Sequence, residues 1–260
     1  MNIMDWFSLK GKVALMTGGA GGYGRQIATA LAQAGARTYI TSRNVEKLEQ
    51  VALQLRDSGC EVYALEVDQG NEESINKLKD VILRQEGKID ILVNNAVLRT
   101  MNGWEDKAER FAESMQVNAT GVFMMTRAFG DAMAKSGGGS IINIGSIQGM
   151  IGPDAAIYKN VGFHGFIPDY FFHKGGMINF TRFAASYYGP SNVRCNCVSP
   201  GGLRTEAHPE LFVQSFSDRT FLGRMANDTD LMGIIVFLAS DASVYITGTN
   251  IPVDGGYTAK

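Results

Sequence analysis

Short apolar runs alternate with longer segments of helical periodicity along this chain, and the alternation predicts an α/β fold. Residues 12–17 form an apolar run that ends in a glycine cluster, and Ile27, Leu31 and Ala34 behind it recur at helical spacing. The same cycle continues to the end of the chain. It predicts strands over 37–41, 61–67, 89–93, 140–144, 193–198 and 251–253, and helices over 45–55, 72–85 and a longer stretch through Met125 and Met133.

Helix-length connections between the strands imply parallel pairing, because a crossover between parallel strands needs about a dozen residues or more. Right-handed crossovers of this kind place helices on both faces of the sheet. The 260 residues therefore predict one single-domain, doubly wound parallel sheet of the Rossmann-like type. Residues 148–169 follow neither periodicity and contain four glycines, Pro153 and Pro168, so we predict a long functional loop there.

The amino-acid composition argues against several classes of binding partner. Lys plus Arg total 24 and Asp plus Glu total 26, a net charge of -2 that offers no basic field to a nucleic acid. No apolar run approaches the ~20 residues that cross a bilayer, and Asp5 lies where a signal peptide would be apolar. The three cysteines have no metal-ligand spacing with histidine. We therefore expect buried reduced thiols, no metal, no membrane partner and a cytoplasmic location.

A glycine-rich turn follows the first predicted strand. Gly18, Gly22 and Gly24, with Tyr23 between the last two, stand where that strand meets the first helix. Glycines let backbone N–H groups approach a pyrophosphate, and the N-terminus of the helix adds the positive end of its dipole. The strand–turn–helix context favours a dinucleotide site over a turn that is merely flexible.

The end of the second strand indicates which dinucleotide binds. An Asp or Glu about 20 residues beyond the glycines would hold the 2′-hydroxyl of the adenosine ribose, but the sequence there is Ser42-Arg43-Asn44. A guanidinium beside a hydroxyl suits a 2′-phosphate instead. We therefore predict that NADP(H) is favoured over NAD(H). The alternative is that Arg43 only opens a solvated helix.

Eight motifs in order make the chain similar to the short-chain dehydrogenase/reductase family over nearly its whole length. The resemblance implies a cofactor site and a catalytic set. The cofactor motifs fall on Gly18, Gly22, Gly24, Asp68, Asn95, Ala96, Pro200, Gly201 and Thr205, and the C-terminal signature on Val253-Asp254-Gly255-Gly256. The catalytic motifs fall on Asn118, Ser146, Tyr170 and Lys174, and the resemblance implies that Tyr170 and Lys174 also contact the cofactor.

The chain departs from the family pattern at two places. Val97 replaces the glycine that usually follows Asn94-Asn95-Ala96, so its backbone must adopt a conformation that a β-branched residue tolerates. Ser146 and Tyr170 stand 24 residues apart, about twice the family's usual separation. This spacing predicts an insertion at about 147–169, beside the substrate.

Tyr158 lies nearer the usual spacing and competes with Tyr170 for the role of catalytic tyrosine. Four residues after Tyr158 the sequence has a glycine where a lysine would be needed. Lys174 follows Tyr170 by one helical turn, at the start of a predicted helix, so these two side chains share a face. We therefore predict that Tyr170 is the catalytic tyrosine.

A lysine one turn from a phenol favours the phenolate, which lowers the phenol pKa from about 10 toward neutral pH and makes the phenol an acid–base catalyst. The resemblance implies that Lys174 also holds the nicotinamide ribose and that Asn118 supports a relay water. It implies that Ser146 donates a hydrogen bond to the substrate oxygen. Taken singly, each residue also fits a structural role, as an amphipathic rim, a helix cap or a strand-end hydroxyl.

Polar side chains near the predicted site suggest a small polar substrate. They are Gln148, Asp154, Tyr158, Lys159, Asn160 and His164 in the insertion, and Arg99, Trp104, Arg204 and His208 after other strands. Such a pocket suits a polyol, a sugar acid or a sugar-derived ketone. The chain also resembles the gluconate 5-dehydrogenase-like and other sugar-modifying members of the family.

Two other functions stay open. One is a 3-oxoacyl reductase of the fatty-acid type, and the other is a catalytically silent, cofactor-binding regulatory protein. Family members commonly form tetramers, so the resemblance implies a homo-oligomer, a tetramer or a dimer. The apolar side chains of Phe180, Phe183 and Tyr187 would lie either in that interface or in the core.

Overall fold

Seven parallel strands form one sheet at the centre of the computed structural model, which describes residues 2–163 and 165–259. The strands lie in the order β3-β2-β1-β4-β5-β6-β7, and every neighbouring pair is parallel. This confirms the predicted doubly wound sheet. The strands are β1 (Val13–Thr17), β2 (Arg37–Ser42), β3 (Val62–Glu66), β4 (Ile91–Asn94), β5 (Gly139–Ile144), β6 (Val193–Pro200) and β7 (Asn250–Val253).

Helices connect the strands, and several begin or end at residues with a clear capping function. The Asn44 and Asn71 side chains accept hydrogen bonds from the first turns of α2 and α3, and Gly87 ends α3 in the left-handed conformation. No helix within the described residues is long and apolar enough to cross a membrane. The helices are α1 (Tyr23–Gln33), α2 (Val45–Asp57), α3 (Glu72–Glu86), α4 (Ala108–Met115), α5 (Gly121–Lys135), α6 (Pro168–Tyr188), α7 (Glu210–Ser217) and α8 (Met232–Ala239).

The sheet is covered on both faces, which explains why its strands read as continuous apolar runs. In β1, Ala14 and Met16 enter one core, while Val13 and Leu15 enter the other. The first core includes side chains from α1, α2 and α8, and the second includes side chains from α3, α5 and α6. The two cores fix the sheet between its helices and leave the ends of the strands free to carry loops.

Two predicted segments differ from the structure. The long helical stretch before β5 is two helices, α4 and α5, joined by a π-helical turn at Gln116–Thr120. The predicted loop ends two residues too late, because α6 begins at Pro168. Proline is tolerated in the first turn of a helix, where its missing N–H has no partner to lose. Lys174 therefore lies in the second turn of α6 and not at its start.

The insertion is folded against α7. It contains short 3-10 turns at Ile147–Gly149 and Ala155–Tyr158. Ile157 packs in a small third core with residues of α7, and Asp154 forms an ion pair with Arg219 at 2.7 Å. His164 lies outside the described residues. The insertion is thus an ordered segment whose apolar residues pack against α7.

The aromatic side chains proposed for an interface lie on α6. Phe183 and Tyr187 are 63% and 66% exposed, so of the two alternatives left open for them the structure excludes the core. Their rings stack on one another along the helix with Phe180. Self-association stays a prediction that sedimentation velocity would check.

Candidate functional site

A cavity of about 680 Å³ opens at the carboxyl ends of the strands. It spans the point between β1 and β4 where the order of the strands reverses, which is where open parallel sheets bind their ligands. The residues that follow each of the strands β1 to β6 line it. They include Gly18, Gly22, Tyr23, Gly24, Ser42, Arg43, Asp68, Asn95, Ala96, Ser146, Tyr170, Lys174, Pro200 and Gly201.

The glycine turn between β1 and α1 leaves room that side chains would fill. Gly18 and Gly22 have φ of +74° and +54°, a region that strains any residue with a Cβ. A Cβ on Gly18 would lie 2.8 Å from Nδ2 of Asn95, and one on Gly24 would lie 3.1 Å from the backbone nitrogen of Gly19. The bare backbone of this turn forms one wall of the cavity and fits the pyrophosphate of a dinucleotide.

Tyr23 and Asn95 hold this turn in place. The Asn95 side chain donates to the Thr17 carbonyl at 2.9 Å, and Thr17 Oγ1 accepts from the N–H groups of Asn95 and Ala96. The Tyr23 hydroxyl donates to the Gly201 carbonyl at 3.0 Å. Both side chains therefore join the turn to neighbouring strand ends, and their direct contact with a cofactor stays a prediction.

The far end of the cavity is bounded by Ser42, Arg43 and Asp68. Asp68 Oδ1 accepts from the N–H of Gly70 at 2.9 Å, and the Ser42 hydroxyl closes a local turn with Asn44. Arg43 is exposed and forms no ion pair with a carboxylate of the described residues. Its guanidinium is available to an anion at the edge of the cavity.

Ser146, Tyr170 and Lys174 all line the cavity. Ser146 follows β5, and its Oγ accepts a hydrogen bond from the N–H of Gln148, which leaves the hydroxyl proton free to be donated. Tyr170 and Lys174 lie one turn apart on α6, with Lys174 Nζ 5.7 Å from the centre of the Tyr170 ring. The fold thus places a hydroxyl donor, a phenol and an ammonium around one space.

Lys174 is buried, and its Nζ donates to the Ile144 carbonyl at 2.5 Å. Burial lowers the pKa of Lys174 to about 8, and the nearby positive charge of Arg99 acts in the same direction. A lysine with this pKa is still mostly protonated at pH 7. It therefore brings a positive charge to the phenol of Tyr170.

Asn118 lies in the π-helical turn, behind the cavity and not in its lining. Its Nδ2 donates to the Leu98 carbonyl at 2.7 Å and to Ser114 Oγ at 2.9 Å, while its Oδ1 accepts from the Leu98 N–H at 2.8 Å. Ser114 in turn donates to the buried carboxylate of Asp169. The side chain of Asn118 therefore positions the segment that follows β4.

Sequence reasoning missed three buried polar residues around this centre: Ser114, Asp169 and His173. The signal was present in Asp169, an acid in the first turn of α6 and next to Tyr170. Both ring nitrogens of His173 are buried without a hydrogen-bond partner among the described residues. Burial lowers the pKa of His173 to about 3, helped by the charges of Lys174 and Arg99.

The polar residues of the insertion divide into two groups. Gln148 and Tyr158 line the cavity, and Gln148 Nε2 donates weakly to the Tyr158 hydroxyl at 3.4 Å. Lys159 and Asn160 are exposed and do not line it. The Tyr158 ring packs on Phe163, Phe166 and Phe212, and burial raises its pKa. The structure thus places Tyr158 in the wall of the cavity and Tyr170 on the helix that carries the lysine.

The candidate residues that follow other strands also include some that line the cavity and some that do not. Arg99 and His208 line the cavity, whereas Trp104, Arg204 and Thr205 do not. The guanidinium of Arg99 lies over the Tyr170 ring, 4.9 Å from its centre. The Thr205 N–H donates to Nδ1 of His208 at 3.2 Å, and contact of Thr205 with a cofactor stays a prediction.

Val97 lines the cavity, and its backbone is not in the positive-φ region. Among the described residues other than glycine, positive φ occurs at Asn160 and Asn192 alone, so a β-branched residue is tolerated at position 97. This agrees with the expectation from the sequence.

Comparison with known proteins gives matches over nearly the whole chain. A family model described as enoyl-(acyl carrier protein) reductase matches residues 18–258. The chain is 35% identical over 260 residues to the 3-oxoacyl-(acyl-carrier-protein) reductase FabG of Aquifex aeolicus (strain VF5), covering 95% of this chain and 98% of that protein. It is 34% identical over 265 residues to the 2-dehydro-3-deoxy-D-gluconate 5-dehydrogenase of Escherichia coli (strain K12), covering 99% and 100%.

Among solved structures, the chain resembles a gluconate 5-dehydrogenase from Burkholderia cenocepacia J2315 in complex with NADP and tartrate. The TM-score is 0.90 with 30% sequence identity, and the match covers 100% of both chains.

Proposed function

Since the chain belongs to the short-chain dehydrogenase/reductase family, whose members are NAD(P)-dependent oxidoreductases of alcohols and ketones, we propose that it acts on a polar, sugar-like or polyol substrate with NADP(H). The observation that carries the proposal is the meeting of Ser146, Tyr170 and Lys174 in the cavity that the glycine turn lines. The reaction is the interconversion of a secondary alcohol and a ketone.

The residues around the cavity divide the chemistry among them. When bound, the nicotinamide supplies a hydride to the carbonyl carbon in reduction, or accepts it in oxidation. Tyr170 gives its hydroxyl proton to the carbonyl oxygen, and Ser146 donates a hydrogen bond to the same oxygen. The buried ammonium of Lys174 stabilises the phenolate that remains. In the oxidative direction the phenolate takes the proton back from the alcohol.

The preference for NADP(H) rests on the end of β2. Arg43 faces the cavity with no carboxylate partner among the described residues, and the end of β2 carries Ser42 where NAD-binding sheets place an acid. A guanidinium binds a 2′-phosphate, whereas an acid there would repel it. The remaining contacts would come from Gly18, Gly22, Gly24, Asp68, Asn95, Ala96, Pro200 and Gly201, which line the same cavity.

The proposed acid–base role is tested by Tyr170→Phe, which removes the hydroxyl and keeps the ring. We expect kcat to fall by about 1,000-fold, because general acid–base catalysis contributes about 10²–10⁴-fold. NADPH binding, followed by fluorescence titration, stays within about threefold of wild type. Tyr158→Phe is the matched control and loses only a weak bond to Gln148. A larger loss in Tyr158→Phe than in Tyr170→Phe would transfer the role to Tyr158.

A screen of polyols, sugar acids, ketones and 3-oxoacyl thioesters with both cofactors separates the remaining functions. Turnover of the thioester alone would favour the 3-oxoacyl reductase, a function suggested by the relative from Aquifex aeolicus. Cofactor binding without turnover of any compound would favour a regulatory protein.

A further inference from the structure

The substrate end of the cavity carries positive charge that no carboxylate balances. Arg99 and Lys174 line this end, while Asp68 is the one carboxylate among the described lining residues. Asp68 follows β3, which is three strands away from β4 in the sheet. At about 4.8 Å between neighbouring strands, the ends of β3 and β4 are about 14 Å apart. The acid therefore belongs to the adenosine end and leaves the charge of Arg99 unbalanced.

Arg99 shares with Arg43, at the other end of the cavity, the lack of an acidic partner among the described residues, whereas other arginines of this region are paired. Arg219 pairs with Asp154 and Arg204 with Glu210. Within residues 2–163 and 165–259, the Arg99 guanidinium has no ion pair, and it lies over the face of the Tyr170 ring. A ring face satisfies none of the N–H donors of a guanidinium, so these donors remain available.

The backbone that carries Arg99 is held on both sides. Before it, the N–H and the carbonyl of Leu98 are both bonded to the Asn118 side chain, at 2.8 and 2.7 Å. After it, the Thr100 hydroxyl donates to the Arg110 carbonyl at 2.7 Å, and the Arg110 guanidinium returns a bond to the Thr100 carbonyl at 2.9 Å. Four hydrogen bonds thus fix the backbone at residues 98 and 100, which reduces the conformational freedom that this segment would lose when Arg99 binds an anion.

Other residues of the cavity lining suit the rest of a hydroxylated molecule. Tyr158, Phe212 and Phe216 present aromatic rings to the cavity, and Gln148 presents an amide. A ligand with its reacting carbon at Ser146 and Tyr170 would have its carbon chain near these rings and one end beside Arg99.

We propose that Arg99 binds the carboxylate of the substrate, which makes the substrate a hydroxy or keto acid of the sugar-acid class. The inference rests on the proposed function and names the substrate of the same site. The planar fork of a guanidinium matches the two oxygens of a carboxylate. The fork also fits a phosphate group, so inorganic phosphate is included in the test as the competing anion.

The inference is tested with acid and alcohol pairs that differ at the carboxylate: D-gluconate against D-glucitol, and L-tartrate against L-threitol. Binding is measured by calorimetry on the protein saturated with NADP+, and turnover at the nicotinamide absorbance. We expect each acid to bind wild type at least about tenfold tighter than its alcohol, because hydrogen bonds to charged groups contribute about 1.5–3 kcal/mol.

The variants are Arg99→Gln, Arg99→Lys and the control Arg204→Gln, which removes a nearby charge outside the cavity lining. Arg99→Gln is expected to reduce the preference for the acid to within about threefold, chiefly through KM. Arg99→Lys keeps part of it, because the charge remains and the fork is lost. Arg204→Gln keeps the full preference.

Three outcomes would overturn the inference. They are a wild type with no preference for the acids, a preference that survives in Arg99→Gln, and a loss in Arg99→Gln that is equal for acids and alcohols. Tighter binding of inorganic phosphate than of L-tartrate would overturn the assignment to a carboxylate. Because binding needs no turnover, a protein that binds L-tartrate through Arg99 and turns over nothing contradicts the proposed function alone. A protein that oxidises alcohols without preferring acids contradicts this inference alone.

Discussion

Two arginines lie at opposite ends of one cavity and invite comparison. Arg43 follows β2 and Arg99 follows β4, and both are exposed, line the cavity and lack a carboxylate partner in the described part of the chain. Elsewhere, arginines such as Arg37 and Arg224 are paired with acids. An arginine that lines a concave surface without a counter-ion is ready for an anion from outside the chain. The two ends thus fit two anions of one reaction, the cofactor's 2′-phosphate and the substrate's carboxylate.

The two ends differ in how they are built. Around Arg43 the bonds are local, between Ser42 and Asn44, two residues apart. Around Arg99 they are long-range, since Asn118 is 20 residues from Leu98 and its own partner Ser114 reaches Asp169 across 55 residues. Arg43 therefore lies on a surface turn that only local hydrogen bonds stabilise. The backbone next to Arg99 is instead bonded to the buried side chain of Asn118, which is bonded through Ser114 to Asp169. The comparison predicts that substitutions in the chain from Asn118 to Asp169 raise the KM for the substrate and leave the KM for NADPH little changed.

Among the changes that compare the two ends of the cavity, the largest expected effect is at the cofactor end. Arg43→Glu replaces the guanidinium with an acid of the kind that holds a 2′-hydroxyl. We expect the ratio of kcat/KM for NADPH to that for NADH to fall by about 100-fold or more, since a charge-assisted contact of about 3 kcal/mol is lost. Steady-state kinetics with both cofactors measure it. Lys47→Glu, an exposed change on α2 outside the cavity lining, is the control and should leave the ratio as it is. An unchanged ratio in Arg43→Glu would remove Arg43 from the cofactor site.

The next effect is beneath the substrate end. Ser114→Ala removes the hydroxyl that joins Asn118 to Asp169 and leaves the buried carboxylate of Asp169 without its donor. A buried polar group left without a partner costs about 1–3 kcal/mol, and more when it is charged, so we expect the free energy of unfolding to fall by about 3 kcal/mol.

Urea unfolding measures this loss, and kinetics should show a raised KM for the substrate with the KM for NADPH little changed. Ser136→Ala, which removes a hydroxyl bonded to the Ala132 carbonyl at the end of α5, is the control and should cost less than about 1 kcal/mol. Equal losses in the two variants would show that the chain from Asn118 to Asp169 adds no special stability.

The smallest effect is a dependence of stability on pH. The pKa of His173 is lowered from 6.5 to about 3 by burial and by the charges of Lys174 and Arg99, so the folded state keeps this histidine neutral. Below pH 6.5 His173 binds a proton in the unfolded state but not in the folded state. The free energy of unfolding therefore decreases as the pH falls from 6.5 toward 3. Between pH 8 and pH 5 the loss from this group is about 2 kcal/mol.

His173→Phe replaces the imidazole with an aromatic ring that cannot titrate, so its free energy of unfolding should fall by about 2 kcal/mol less than that of wild type between pH 8 and pH 5. Urea unfolding at pH 8 and pH 5 measures the difference. An identical pH dependence in both proteins would show that His173 binds a proton in the folded state near its ordinary pKa.

Most of the fold was predictable because its signals are local. The runs that became β1 to β7 and the helix predicted over 72–85 are visible in short windows of sequence. Pro168 was misread, since a proline that ends a helix and one that begins a helix look alike until the flanking backbone is known. The turn between α4 and α5 was missed because a π turn does not interrupt the apolar periodicity enough to be seen.

The candidate site was predictable only in part. Gly18, Ser146, Tyr170 and Lys174 stand in motifs, and the structure brings them to one cavity. Thr205 matched a motif equally well, yet it lies outside the cavity lining and bonds to His208 instead. A motif fixes the position of a residue along the chain, but it does not fix the direction of a side chain in an exposed loop.

The amino-acid sequence alone determined the α/β architecture, the glycine turn and the spacing that makes Tyr170 and Lys174 neighbours, because each depends on residues within one strand, turn or helix. Tertiary structure alone decided that Arg99 lies over Tyr170, that Tyr158 belongs to an aromatic wall and that Asp169 supports Asn118. These are contacts between segments far apart in the chain. They depend on how helices and strand ends pack around the sheet, and no local pattern of residues encodes that arrangement.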